Sequence, residues 1–135
     1  MTFEMKQKVL FKHCDPAGIV FFPRYFEMMN DCVETFFSEV LEWPFEEFIG
    51  REGVPTAAIE TRFTAPSLHG DHLVIALDVE HVGRTSFTYR MTAWCGDEKR
   101  FETKARLVFV NDSGRPQPWP EAIRAKLEAA LEPAA

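Results

Sequence analysis

The sequence is short of the features that would place it in a membrane, in an oxidising compartment or on nucleic acid. Its three cysteines, Cys14, Cys32 and Cys95, are odd in number and widely spaced, with no CxxC pair. Neither a disulfide framework nor a zinc knuckle is indicated, and three reduced thiols are expected. Basic residues are in deficit: 15 Lys and Arg stand against 21 Asp and Glu, a net charge of −6. That is the wrong sign for neutralising a phosphate backbone, which argues against nucleic acid as a partner. No run approaches the roughly 20 apolar residues of a membrane span. The opening MTFEMKQKVL has no continuous apolar segment of the signal-peptide kind, so a cytoplasmic protein with no membrane partner is expected. Internal repeats, low-complexity tracts and domain linkers are missing as well.

What is there suffices for a packed core. The 135 residues are 46% hydrophobic and 27% charged, a globular composition. One domain over 1–135 would bury roughly two thirds of the extended chain's surface. From Phe3 to Phe11 the pattern alternates, Phe3, Met5, Val9 and Phe11 against Glu4, Lys6 and Lys8, as in a strand with one wet face. The segment His13-Cys14-Asp15-Pro16-Ala17-Gly18 breaks the alternation with turn chemistry. Arg24 to Leu41 repeats apolar residues at three- and four-residue steps, Tyr25, Met29, Cys32, Val33, Phe36 and Val40, and predicts a helix with Pro23 in its first turn. Trp43-Pro44 ends it, and Phe45 to Ile49 adds a short helical turn.

Thr56 to Phe63, His72 to Val82, Ser86 to Trp94 and Arg100 to Asn111 each alternate as strands. The connections at Gly83 and Gly96 are short enough for antiparallel hairpins. Pro120 to Leu131 predicts a closing helix. Strand, long apolar helix and four antiparallel strands make an α+β layer in which the sheet wraps the helix.

Asp15 draws attention because a turn holds it within a strongly apolar run, about ten residues before the helix. A poorly solvated carboxylate is a stronger nucleophile or base, and free N–H groups at a helix start can hold a developing oxyanion. The plainer reading is an Asp-Pro turn former. His13 is read as an exposed strand residue and Cys14 as a buried, inert thiol, because no basic partner is placed to lower its pKa. Contiguous His13, Cys14 and Asp15 rarely all face one ion, so no metal is expected. Lys104 and Arg106 read as a solvated strand face.

The string from Cys14-Asp15-Pro16-Ala17-Gly18-Ile19-Val20 through Phe22-Pro23-Arg24-Tyr25 resembles the 4-hydroxybenzoyl-CoA thioesterase branch of the hot-dog fold. The match is dense over Phe11 to Asp31. It continues more loosely through Thr64-Ala65-Pro66, Gly70-Asp71 and Gly83 to Phe87. The resemblance implies a curved antiparallel sheet around one long central helix, and hydrolysis of an acyl-CoA thioester. It implies that Asp15 attacks the carbonyl or activates a water, and that the backbone N–H of Phe22 steadies the oxyanion. Gly18, Tyr25, Phe26 and Asn30 would meet the acyl portion. Arg84, Thr85 and Ser86 would face the pantetheine and phosphates.

By the same resemblance the chain pairs as a homodimer, often again as a tetramer. It needs no cofactor beyond the coenzyme A carried by the substrate. Asn30 falls where some relatives carry an acidic residue that selects a hydroxylated aromatic acyl group, with Asp31 one step on and about 100° round the helix. Another aryl or a short acyl group is therefore implied. Two alternatives stand beside the thioesterase: a non-catalytic acyl-CoA-binding module, and a hydratase or dehydratase. By the family pattern the latter needs a His five positions after the Asp, where this chain has Val20.

Overall fold

The computed structural model describes residues 1–132; the last three residues of the domain expected over 1–135 lie outside the described residues. Strands β1 (Thr2–Lys8), β2 (Thr56–Phe63), β3 (His72–Val82), β4 (Ser86–Cys95) and β5 (Glu98–Val108) form one antiparallel sheet in the order β1-β3-β4-β5-β2. Helix α1 (Phe22–Glu39) packs on one face of it, and α2 (Glu121–Ala130) follows β5. The α+β class and the sheet-around-helix layout agree with expectation.

Alternation explains the sheet. Along β4, Phe87, Tyr89, Met91 and Ala93 are buried, while Ser86, Thr88, Arg90 and Thr92 alternate with them on the wetter face. The helix supplies Tyr25, Met28, Met29, Cys32, Val33, Phe36 and Phe37 to the same core. Phe36 meets Phe3 of β1 and Phe87 of β4, and Tyr25 meets Phe101 of β5. The N-terminal end of α1 thus lies over one end of the central strands and its C-terminal end over the other.

Three boundaries differ from the sequence reading. β1 stops at Lys8, because its partner β3 begins at the paired residue His72. Residues Phe11–His13 instead form a 3-10 turn, and Phe11, assigned to the buried face, is 82% exposed. α1 begins at Phe22, not Arg24, since Pro23 occupies the first turn where no N–H is needed, and it ends at Glu39. β5 runs from Glu98 to Val108. Beyond it Phe109 and Val110 leave the ladder to bond Gln117, Gly53 and Thr85.

Candidate active site

The segment around Asp15 is a miniature antiparallel hairpin. Phe21 N–H donates to His13 O at 2.9 Å, Cys14 and Val20 form a bridge, and Asp15 N–H donates to Ile19 O at 3.0 Å. The tip closes with Gly18 N–H on Asp15 O at 2.9 Å, and Gly18 sits at φ 81°, where a side chain would be strained. Asp15 Oδ1 accepts the Ala17 N–H at 2.9 Å, so the aspartate does form the turn. Its Oδ2 has no hydrogen-bond partner among the described residues. The half-buried side chain therefore has one oxygen held and one available.

His13 and Cys14 depart from expectation. His13 is buried, 5% exposed, because the 3-10 turn folds its ring back so that Nδ1 accepts the Leu10 N–H at 2.9 Å. Burial first, then the neighbouring Lys12 cation, lowers its pKa below 6.5. Cys14, expected to be buried, is only partly so, with Sγ 3.6 Å from Leu10 O. The buried thiol is Cys32, whose pKa desolvation pushes up to about 12.

The hairpin is clipped to the loop before β3. Val20 N–H donates to Ser67 O, His69 N–H donates to Gly18 O, and Ile19 bridges Leu68. That loop is braced in turn: Asp71 Oδ2 accepts the Leu68 N–H at 2.9 Å and Arg100 Nη1 at 2.7 Å. The Arg100 hydrogen bond, followed by the Leu68 N–H, holds the Asp71 carboxyl below its ordinary value. Neither residue stood out as a bracing pair in the sequence; Gly70-Asp71 did so only as a loose family match.

Directly after the hairpin comes the start of α1. Phe21 is its N-cap, in extended conformation at φ −72° and ψ 123°, and offers no side-chain cap. Pro23 has no N–H to give, and Arg24 N–H returns to Phe21 O at 2.8 Å. The Phe22 N–H donates to no backbone carbonyl among the described residues, which leaves a free donor at the positive end of the helix dipole.

Tyr25 is buried; its hydroxyl donates to Ser67 Oγ at 2.9 Å and its ring stacks on Phe63 at 5.5 Å. Phe26 and Asn30 line a mainly apolar cavity of about 590 Å³ between α1, β2 and the segment around Gly53, with Tyr89 and Leu107 on the sheet side. Tyr89 was read only as a member of β4's buried face. Arg84, Thr85 and Ser86 are not brought to Asp15 within one chain. They sit at the end of β4 where Phe87 meets Phe36 and Phe37, the C-terminal end of α1. Among the described residues no cluster of three or more His, Cys, Asp or Glu is placed to hold a metal ion.

A family model described as the thioesterase-like superfamily matches residues 9–127. A 4-hydroxybenzoyl-CoA thioesterase of Pseudomonas sp. (strain CBS-3) is 29% identical over 92 residues, which is 66% of this chain and 65% of that protein. The match therefore spans just under two thirds of that relative's length. Among solved structures, a 1,4-dihydroxy-2-naphthoyl-CoA thioesterase from Synechocystis superposes with a TM-score of 0.87 at 19% identity, covering 98% of this chain and 100% of that one. A gentisyl-coenzyme A thioesterase superposes with a TM-score of 0.83 at 25% identity, covering 93% and 99%. These likenesses establish the hot-dog fold.

Proposed function

The chain belongs to the thioesterase-like superfamily, and from that premise we propose that it hydrolyses a short-chain or aromatic acyl-CoA to the free acid and coenzyme A. The acyl-CoA activity printed for the relatives agrees with this reading. The single observation that supports it is that Asp15, with Oδ2 unbonded among the described residues, lies on the short hairpin that leads into α1 and its free Phe22 N–H, a hairpin whose rungs bond His13 to Phe21 and Asp15 to Ile19.

Chemically, Asp15 Oδ2 either attacks the thioester carbon or takes a proton from a water that does. On the first route a carbon–oxygen bond forms, the carbonyl electrons move to oxygen beside the Phe22 N–H, and the carbon–sulfur bond then breaks. Coenzyme A leaves as thiolate and is protonated, and water hydrolyses the resulting anhydride. On the second, water adds directly and the same bond breaks. Oδ1 stays engaged by Ala17 N–H in both, which orients the carboxylate. Tyr25 ties α1 to Ser67, whose carbonyl accepts the hairpin's Val20 N–H, and Gly18 permits the turn, so both serve the site through its shape. Coenzyme A enters as part of the substrate, and no other cofactor is proposed.

The reading includes a homodimer. In β3 the inward residues Leu73, Ile75, Leu77 and Val79 are at most 1% exposed, whereas on edge strand β2 Ile59 and Phe63 are each 45% exposed and Phe22 beside them is 56% exposed. A second copy that continues the sheet at β2 would cover this flank. It would also provide the route by which Arg84, Thr85 and Ser86 of one chain reach the coenzyme bound at the other chain's Asp15. The proposed setting is the cytoplasm.

Purified protein offered a panel of short-chain, aryl and long-chain acyl-CoAs should release free thiol. Asp15→Asn should lower kcat/KM by about a hundredfold or more. Equal rates in the two proteins would refute the assignment, and binding without release from any substrate would favour the non-catalytic module.

A further inference from the structure

The loop to which the Asp15 hairpin is clipped is gathered at both ends by one buried cation. Residues 64–71 join β2 to β3, and Arg100, near the start of β5, reaches each end of them. Its backbone carbonyl accepts the Thr64 N–H at 2.9 Å and the Ala65 N–H at 3.5 Å, while its Nη1 donates to Asp71 Oδ2 at 2.7 Å. Asp71 passes the restraint on. The same Oδ2 accepts the Leu68 N–H, and the Asp71 carbonyl accepts the Val9 N–H at 2.8 Å, on the stretch that leads into the hairpin. On the return strand the Val20 N–H is held by Ser67 O, and at the tip Gly18 O is held by the His69 N–H. Each of these anchors falls on residues 67–71, next to the point that the guanidinium fixes.

Arg100 is a demanding residue to place there. It is 8% exposed, and its Nε lies 2.8 Å from Glu98 Oε1 yet makes no hydrogen bond among the described residues. A buried cation with an unsatisfied donor is penalised by desolvation, and apolar residues in place of a buried ion pair are often as stable or more so. Stability alone therefore does not account for the guanidinium. What it adds is direction, since a charge-assisted N–H···O bond fixes where Asp71 Oδ2 points and, with it, the Leu68 peptide.

We propose that Arg100 is a positioning residue for thioester hydrolysis, which acts through Asp71 and the loop to hold the Asp15 hairpin in place relative to the Phe22 N–H. It touches no reacting atom. Asp15 precedes the hairpin tip and Phe22 follows the return strand directly, so a shift of Val20 against Ser67 moves the carboxylate relative to the oxyanion donor. A misplacement on the order of 1 Å can lower a rate by about a hundredfold. The assignment rests on the thioesterase reading, and its test keeps the two apart.

Wild type, Arg100→Lys, Arg100→Met and the double variant Asp71→Asn with Arg100→Met are compared where circular dichroism shows each to be folded. Arg100→Met should lower kcat for thiol release about tenfold and leave KM within about twofold. The double variant, which leaves neither charge unpaired, should regain stability over Arg100→Met and keep the low kcat, whereas Arg100→Lys should recover most of the rate. Amide exchange at Asp15 and Gly18, whose N–H groups close the hairpin, should quicken about tenfold in Arg100→Met. A wild-type kcat in Arg100→Met, a change confined to KM, a kcat that returns with stability in the double variant, or unchanged exchange at both amides overturns the proposal. A wild type that releases no thiol from any acyl-CoA fails the thioesterase reading on its own, and the two amides then decide whether Arg100 holds the hairpin.

Discussion

In the turn before α1, the His13 ring can accept the Leu10 N–H only while Nδ1 is unprotonated. Its folded pKa lies below 6.5, chiefly through burial, so the unfolded chain binds the proton more readily. The stability His13 contributes is complete above that unfolded value and is lost as pH falls from there through the folded pKa. Melting temperature followed from pH 7.5 downward should therefore drop below about pH 6.5, and the drop should be shallower in His13→Asn; parallel curves would reject the assignment. Residue identity made the turn visible, since Asp-Pro and Ala-Gly announce themselves in any context. It did not disclose the burial of His13, because a histidine next to a turn faces in or out according to what folds over it. Tyr89 was legible as a core position but not as part of a cavity wall, because alternation reports which side a residue faces and not what space lies beside it.

The loop between β2 and β3 is the element that holds the Asp15 hairpin, and the pair formed by Asp71 and Arg100 holds the loop. Arg100 is largely buried, its side chain 10% exposed against 24% for Asp71. Asp71→Asn would leave the guanidinium with Glu98, whose side chain is 59% exposed, as its remaining ion-pair partner. Removing one member of a largely buried pair should cost about 2 kcal/mol in urea denaturation. Amide exchange at Leu68 and Val20, whose N–H groups sit in this junction, should quicken in the same variant. Unchanged exchange at both would show that the loop stands without the pair. The elements themselves were well marked: β2 and β3 begin and end where alternation begins and ends. The bounds of β1, α1 and β5 were misplaced; β1 was read too far because a strand stops where its partner stops and β3 lies some sixty residues further on.

Across the molecule, the sheet has one well-covered face and one unfinished flank. Every residue of β2 except Thr61 is exposed, on both faces of an edge strand, an arrangement that invites a further strand. Light scattering at micromolar concentration should accordingly give the mass of two chains or four, with a melting temperature that rises with protein concentration. A single-chain mass would overturn the dimer. No helix among the described residues is long and apolar enough to cross a membrane. The sequence by itself determined the element types, the buried stripe of α1 and the turn that carries Asp15, because these follow from local periodicity and from the backbone chemistry of Pro and Gly. Tertiary structure alone decided that the Phe22 N–H is left free, that Arg100 reaches Asp71, that Tyr89 lines a cavity and that Arg84 lies at the far end of α1. Each of these depends on which distant segments the sheet order brings side by side, a relation that no local pattern encodes.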